Sequence, residues 1–320
     1  MSPNTQWFYI YIRYFFIFVS VIIPTYKRAK DLKVALDSLC NQIILPNEVI
    51  IVDQSPDHET RDLCNEKKYK KIWMRCFWRD DASSARARNQ GIEKLHKGSD
   101  VVLFFDDDVE VDKKYIEKVV SFLKHNEHIL WWEWNVLNHP QKKTLWYYLF
   151  LQPWIKGYTY AFDVKFRNPL KIQTISVMYG CDMFIRASVL RQGYRFPQWM
   201  DRYSFEDLFL SYDLTQRYPS RFVYLPFAKI YHYESISARI PNIQRVKQFL
   251  SHLFFFYNLH SFFLLRFYWV SIWYFIRIFF LTREKRTLFV CFFFTWYWLF
   301  INRRKILTTP SCLNDFIFNP

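Results

Sequence analysis

Glycine is nearly missing from this chain, with five in 320 residues. A nucleotidyltransferase would need a Gly-rich basic loop after its first strand to cradle a triphosphate. Here that turn, residues 25–30 (TYKRAK), is basic but has no glycine. Cysteine is sparse and scattered. Six residues (Cys40, Cys64, Cys76, Cys181, Cys291, Cys312) include no C-x-x-C pair, which argues against a zinc site and a disulfide framework and favours reduced cytosolic thiols. Long hydrophobic runs are missing too. Two uncharged runs near the end, residues 267–276 and 288–301, have ten and fourteen residues, short of the roughly 20 a simple spanning helix needs. An early apolar stretch, residues 7–19, is interrupted by Arg13 and has no small-residue cleavage site. It reads as a lead-in (residues 1–18) to the first strand rather than a secretory signal.

Acid is the other deficit, 29 Asp and Glu against 44 Lys and Arg, a net of +15, so an anionic partner is expected. From Arg239 to Lys305 eleven Lys/Arg face one acid, Glu284, in a segment that is also dense in Phe, Trp and Tyr. Basic plus aromatic favours an anionic membrane surface over nucleic acid. Arg266 and Arg277 lie eleven residues apart and His252 falls near the same helical face. The expectation is an interfacial helix whose arginines reach headgroups, with a buried helix pair and a membrane hairpin as alternatives.

What is abundant is buried-strand pattern in the first 130 residues. Apolar runs at residues 19–24, 48–52, 71–78 and 101–105 alternate with helical spacing at 31–41, 83–96 and 113–125. Ser83 or Ser84 is the expected cap of the second helix. Strand–helix alternation of this kind predicts an open α/β sheet. Residues 131–170 suit a long loop with edge strands, and strand patterns return at 175–185 and 222–232. A composition change near residue 240 sets the expected boundary between a domain of residues 19–239 and a C-terminal region, 240–320.

The run VVLFFDDDVEVD (residues 101–112) drives an apolar strand straight into Asp106, Asp107 and Asp108. Taken alone the triplet is either a solvated acidic turn or a site for a hard divalent cation at the sheet's carboxyl edge. Other polar signals also fall at strand ends: PTYKR (24–28), DQS (53–55), ARNQG (87–91), GCDM (180–183), FED (205–207) and YHY (231–233). Two of the five glycines, Gly91 and Gly180, sit inside these motifs, which points to a backbone requirement at each.

In order and spacing these motifs resemble family-2 glycosyltransferases of the GT-A fold, over roughly residues 19–235. The resemblance implies a Rossmann-like mixed sheet flanked by helices, followed here by an aromatic, basic, membrane-associated helical region. It implies an inverting enzyme using a nucleoside diphosphate sugar and a divalent metal, Mn²⁺ or Mg²⁺. The D-x-D pattern assigns the metal to Asp106 and Asp108, with Asp107 a credible substitute and His232 completing the shell. Asp207 is the expected base, and Glu206 orients or contacts the acceptor. Pro24, Thr25, Tyr26, Arg28, Asp53 and Ser55 would wall the nucleoside, with Asp53 accepting the nucleobase imide N–H. Arg88 would contact phosphate or orient the aspartates, a helix-surface charge being its alternative, and Asn89, Asp106 and Asp107 would help bind the donor. Gly180, Cys181, Asp182 and Met183 would line the sugar and acceptor cleft.

Two departures stand out: Lys27 replaces the family's usual Asn, and Trp131-Trp132-Glu133-Trp134 replaces a Gly-rich strand. The expected partners are the donor, a saccharide or lipid-linked saccharide acceptor, and an anionic membrane at the cytoplasmic face, held peripherally or monotopically. No nucleic acid partner is expected. The competing expectation is a non-catalytic GT-A-like protein that binds sugar nucleotide or a partner; the intact acidic motifs argue against it.

Overall fold

A computed structural model describes residues 17–136, 172–174, 180–200, 206–233, 242–259, four short pieces between 267 and 279, and 285–318. Nine strands form one mixed sheet in the order β3-β2-β1-β4-β8-β6-β9-β5, with β7 (Gln173–Thr174) paired to β9. The first four strands are β1 (Val19–Thr25), β2 (Glu48–Asp53), β3 (Met74–Trp78) and β4 (Val101–Phe105), and they run parallel. Helices α1 (Ala29–Cys40), α2 (Glu59–Cys64) and α3 (Ser84–Glu93) connect them. Ser83 caps α3 by accepting the Arg86 N–H. Expected strand and helix positions hold throughout this half. The third strand is shorter than its apolar run, because residues 67–71 form a 3₁₀ turn, and α2 had no clear periodic signal.

β1, β2 and β4 are buried on both faces, which is why they read as unbroken apolar runs. Their alternate residues feed two cores. Val21, Ile23, Ile51, Leu103 and Phe105 point to the side of α1 and α4 (Tyr115–His125). Ile22, Ile50, Val52, Val102 and Phe104 point to the other. There Gly91 lets α3 lie against β1, since a Cβ on it would fall 2.5 Å from Ile22 Cγ2.

The second half is less local and mixed, antiparallel except where β6 runs parallel to β9. β8 (Asp182–Arg186) pairs with β4, and β6 (Trp131–Val136) lies between β8 and β9 (Phe222–His232). The segment at Trp131 therefore starts an interior strand, not an edge. Trp131 is fully buried, its ring packed against Tyr218 and Phe222 with centroids 5.8 Å away in each case. The rest of the expected loop, residues 137–171, lies outside the described residues, as do the side chains of Trp132, Glu133 and Trp134. Of the strand expected at 175–185, only its end is described, as β8. A three-residue strand, β5 (Val109–Val111), pairs antiparallel with β9 so that Val109 sits opposite His232.

The C-terminal helices are α7 (Asn242–Leu259), α8 (Lys285–Ile301), α9 (Arg303–Thr308) and α10 (Cys312–Phe318). They follow the short helix α5 (Ala187–Leu190) and α6 (Glu206–Arg217). They share one hydrophobic cluster with the sheet. Phe209 of α6 packs on Phe255 and Phe256 of α7, with ring centroids 5.7 and 5.2 Å apart. His252, expected near an outward basic stripe, is instead fully buried, its ring 5.7 Å from that of Trp199. Burial follows from its side of α7 facing the sheet domain. Arg266 and Arg277 lie outside the described residues. Among the described residues, no helix is long and apolar enough to cross a membrane.

Candidate active site

The carboxyl ends of β1, β2 and β4 converge on one polar edge. The strand alternation carried on from β4 turns Asp107 away from its two neighbours. Asp107 is held by the Thr25 hydroxyl at 2.8 Å and by Arg28 at 3.1 Å. Asp106 and Asp108 turn toward His232, whose Nε2 lies 3.0 Å from Asp108 Oδ1 and 3.9 Å from Asp106 Oδ2. The β5–β9 register brings the histidine there, and the Tyr233 N–H clamps the end by donating to the Asp108 carbonyl at 2.9 Å.

Asp106, Asp108 and His232 each offer one ligand atom, all within 4.8 Å of one another. Two carboxylate oxygens and one imidazole nitrogen suit a divalent ion such as Mn²⁺, with open positions left for phosphate oxygens. The electrostatics agree with that donor set. Burial, opposed by Arg88 and reinforced by the neighbouring Asp108 charge, raises the Asp106 carboxyl above the usual range. Burial also pushes Asp107 up to about 7, against the pull of Arg28. Adjacent carboxylates this strained are relieved by a cation.

Arg88 is the keystone, and only 2% of it is exposed. It donates to Asp106 at 2.6 Å, to the Gly180 carbonyl at 3.1 Å, and to Glu206. Burial disfavours its charge, but Asp106, Glu206 and Asp207 outweigh that and hold its pKa above the ordinary value. Of its two expected roles, contact with phosphate or orientation of the aspartates, the second is the one drawn in these bonds.

Glu206 and Asp207 open α6, where the helix N-terminus favours acids. Glu206 turns inward, accepting from Arg88 and from the Ser84 hydroxyl at 2.6 Å. Asp207 is half-buried and accepts from the Leu208 N–H and the Gly180 N–H, both at 2.8 Å. Burial, then the adjoining Glu206 charge, pushes its carboxyl up to about 7. A Cβ at Gly180 would sit 3.1 Å from Asp207 Oδ2, so this glycine serves close approach. Residues 201–205 lie outside the described residues.

On the nucleoside side, Pro24 pairs with Val52 and Thr25 with Asp53 in the strand register. Asp53 Oδ1 accepts the Ser55 N–H at 2.9 Å, and Ser55 Oγ accepts the Lys27 N–H at 2.8 Å. Lys27 adopts φ 55, a left-handed conformation that Asn tolerates better than Lys, which gives the departure from the family pattern a backbone cost. Tyr26 lies on the same loop, partly buried.

Four expected site residues point elsewhere. Asn89 is buried and exchanges two hydrogen bonds with the Phe196 backbone, at 2.8 and 3.0 Å, because it lies about 100° round the helix from Arg88. Met183 faces the core shared with α3, and Asp182 faces the other way, accepting from the Tyr115 hydroxyl. Strand alternation buries both, and Cys181 is buried too. Gly180 alone of that segment reaches the site, through its backbone. Two residues were missed. Ser84 holds Glu206, and Trp78, half-exposed, pairs with Asp53 and donates its indole N–H to the Ser55 carbonyl at 2.9 Å. The parallel register beside Asp53 was the available signal for Trp78.

This edge and sheet are those of a nucleotide-sugar transferase fold. Residues 20–193, more than half the chain, match the family model for glycosyl transferase family 2. The chain belongs to that family. An uncharacterized glycosyltransferase of Haemophilus influenzae is 28% identical over 124 residues, 39% of each chain. A probable glucomannan 4-beta-mannosyltransferase 4 of Oryza sativa subsp. japonica is 25% identical over 211 residues, 60% of this chain and 36% of its own. The protein thus spans well under half the length of these curated relatives. Crystal structures of S. aureus TarS 1-349, free and in complex with UDP, share the fold at a TM-score of 0.50 and 19% identity, covering 73% of this chain and 63% of theirs. A further one is in complex with UDP-GlcNAc.

Proposed function

We propose that this glycosyltransferase is metal-dependent and inverting, taking a sugar from a nucleoside diphosphate sugar of the UDP type. The reading is carried by Arg88, which ties the Asp106 side of the Asp106–Asp108–His232 cluster to Glu206 and, through Gly180, to Asp207. One buried guanidinium thus sets the distance between a leaving-group site and a base. A divalent ion, when bound by Asp106, Asp108 and His232, supplies positive charge for the departing diphosphate. Asp207 takes the proton of the acceptor hydroxyl as its oxygen attacks the anomeric carbon, while the bond from that carbon to the diphosphate oxygen breaks. Attack from the face opposite the leaving group inverts the configuration. A carboxyl raised to about 7 is a stronger base than an ordinary aspartate and is matched to neutral pH. Glu206, held by Arg88 and Ser84, orients that side of the cleft. Thr25, Tyr26, Arg28, Asp53, Ser55 and Trp78 wall the nucleoside, with Asp53 taking the nucleobase imide N–H.

The acceptor is a saccharide, in our reading lipid-linked and used in surface polysaccharide or glycan assembly. The basic, aromatic C-terminal region supports work at an anionic membrane surface, on its cytoplasmic face and peripheral or monotopic. The test is turnover of UDP-, GDP- and dTDP-sugars with Mn²⁺ or Mg²⁺ on lipid-linked acceptors. Metal-dependent transfer from a UDP-sugar is expected. Donor binding without transfer to any acceptor would favour a binding protein.

A further inference from the structure

Helix α8 is apolar all the way round, yet only one side of it is covered. Leu288, Cys291, Phe292, Thr295 and Leu299 are buried against the core. Phe289, Val290, Phe293, Phe294, Tyr297 and Ile301 are exposed, Val290 at 67% and Ile301 at 63%. At about 100° per residue these six fall within an arc of roughly 140°, opposite the buried one. A helix apolar on every side belongs in a core or in lipid. At 17 residues α8 is about 25 Å long, too short to span a bilayer core. Lying in the interface, outer face down, fits that length and that face. Its charge fits as well: Lys285 and Arg286 open α8, while Arg303, Arg304 and Lys305 follow its end.

Beside this face is a cavity of about 410 Å³ lined by Lys247, Arg286, Thr287, Val290, Cys291 and Phe294. Val290 and Phe294 belong to the exposed face, so the cavity opens onto it. Lys247 Nζ sits 5.0 Å from the Phe316 ring centre and 3.5 Å from the Phe316 carbonyl. Among the described residues neither Lys247 nor Arg286 is paired with a carboxylate. Two cations and a hydroxyl over an apolar trough match a phosphate carried on hydrocarbon chains.

We propose that this groove binds the headgroup phosphate of an anionic phospholipid while the outer face of α8 sits among the acyl chains. The proposal rests on the membrane-surface reading above and names the surface and ligand behind it. It also ties lipid to chemistry. Phe255 and Phe256 of α7 pack on Phe209, two residues from the base Asp207, so docking α8 fixes how the acceptor side faces the bilayer.

The test is flotation of the full chain with vesicles of phosphatidylcholine alone or in equal parts with phosphatidylglycerol. Lys247→Gln/Arg286→Gln and Val290→Asp/Phe294→Asp are compared, with folding checked by circular dichroism. Wild type should float with the anionic vesicles, and the charge pair should weaken this roughly thirtyfold, at about 1 kcal/mol per basic residue. The apolar pair should weaken it roughly tenfold or more. Calorimetry should find saturable binding of monomeric dihexanoyl-phosphatidylglycerol, lost in Lys247→Gln/Arg286→Gln, and much weaker binding of inorganic phosphate. Equal binding of inorganic phosphate would make this a plain anion site and overturn the proposal. Wild type and variants floating equally would overturn it while leaving the membrane reading intact. Wild type ignoring both vesicles would remove the membrane reading with it.

Discussion

The polar edge of the sheet and the outer face of α8 solve opposite problems. At the edge, five acids and a histidine crowd together. Asp107 accepts from Thr25 and Arg28, Asp106 and Glu206 from Arg88, and Asp207 from two backbone N–H groups, while Asp108 lies 3.0 Å from His232 Nε2 and 3.6 Å from Arg28. On α8, six large side chains face outward with no described element over them. The edge is preorganised for small charged ligands and needs only a cation to be balanced. The face is unfinished and calls for an extended apolar partner. In the proposed reading, one does the chemistry and the other decides where it is done.

Perturbing the edge should have the larger consequences. Asp207→Asn should lower kcat by about 10²–10⁴, as loss of a general base does, with donor binding kept; kcat and donor affinity measured together check this. The wild-type rate should rise as pH climbs through about 7, because only ionised Asp207 accepts the proton. The stability effect has the opposite sign. A carboxyl raised in the fold favours the protonated state, so its contribution is lost as pH rises from about 4, the unfolded value, to about 7. Denaturant melts across that window should show it.

Arg88→Met should cost about 3–5 kcal/mol in the same melts, since it leaves buried carboxylates without their cation. It should also lower kcat, because Asp106 and Glu206 lose their common anchor. Asn89→Ala separates structure from ligand binding. It should cost about 1–3 kcal/mol of stability through two lost backbone partners, with donor KM little changed. The smallest effect has the opposite direction: Lys27→Gly should stabilise by about 1 kcal/mol by relieving a left-handed non-glycine residue. Thermal melts would read it.

The parallel half of the fold was legible because strands buried on both faces leave unbroken apolar runs, and helices α1 and α3 show their own period. The identity of the site's strand-end motifs was legible for the same reason. What was not legible depends on non-local register. His232 reaches Asp108 only through β5, three residues long, paired across more than a hundred positions to β9. Three identical aspartates hide which side each takes until Thr25 and Arg28 are seen to claim Asp107. Motif neighbourhood also overreached. Asn89, Asp182 and Met183 sit in the right segments, but helix rotation and strand alternation aim them into the core. On α8, buried and exposed sides are equally apolar, so composition could show an unusual helix but not which side is covered.

In the proposed mechanism Asp106, Asp108 and His232 hold the ion that receives the donor's diphosphate. Titrating UDP by calorimetry with and without Mn²⁺, in wild type and in Asp108→Asn, tests it most directly. Tight UDP binding should require Mn²⁺ in wild type and be lost in Asp108→Asn. Equal UDP affinity in the presence of a chelator, or an unchanged Mn²⁺ response in Asp108→Asn, would contradict it.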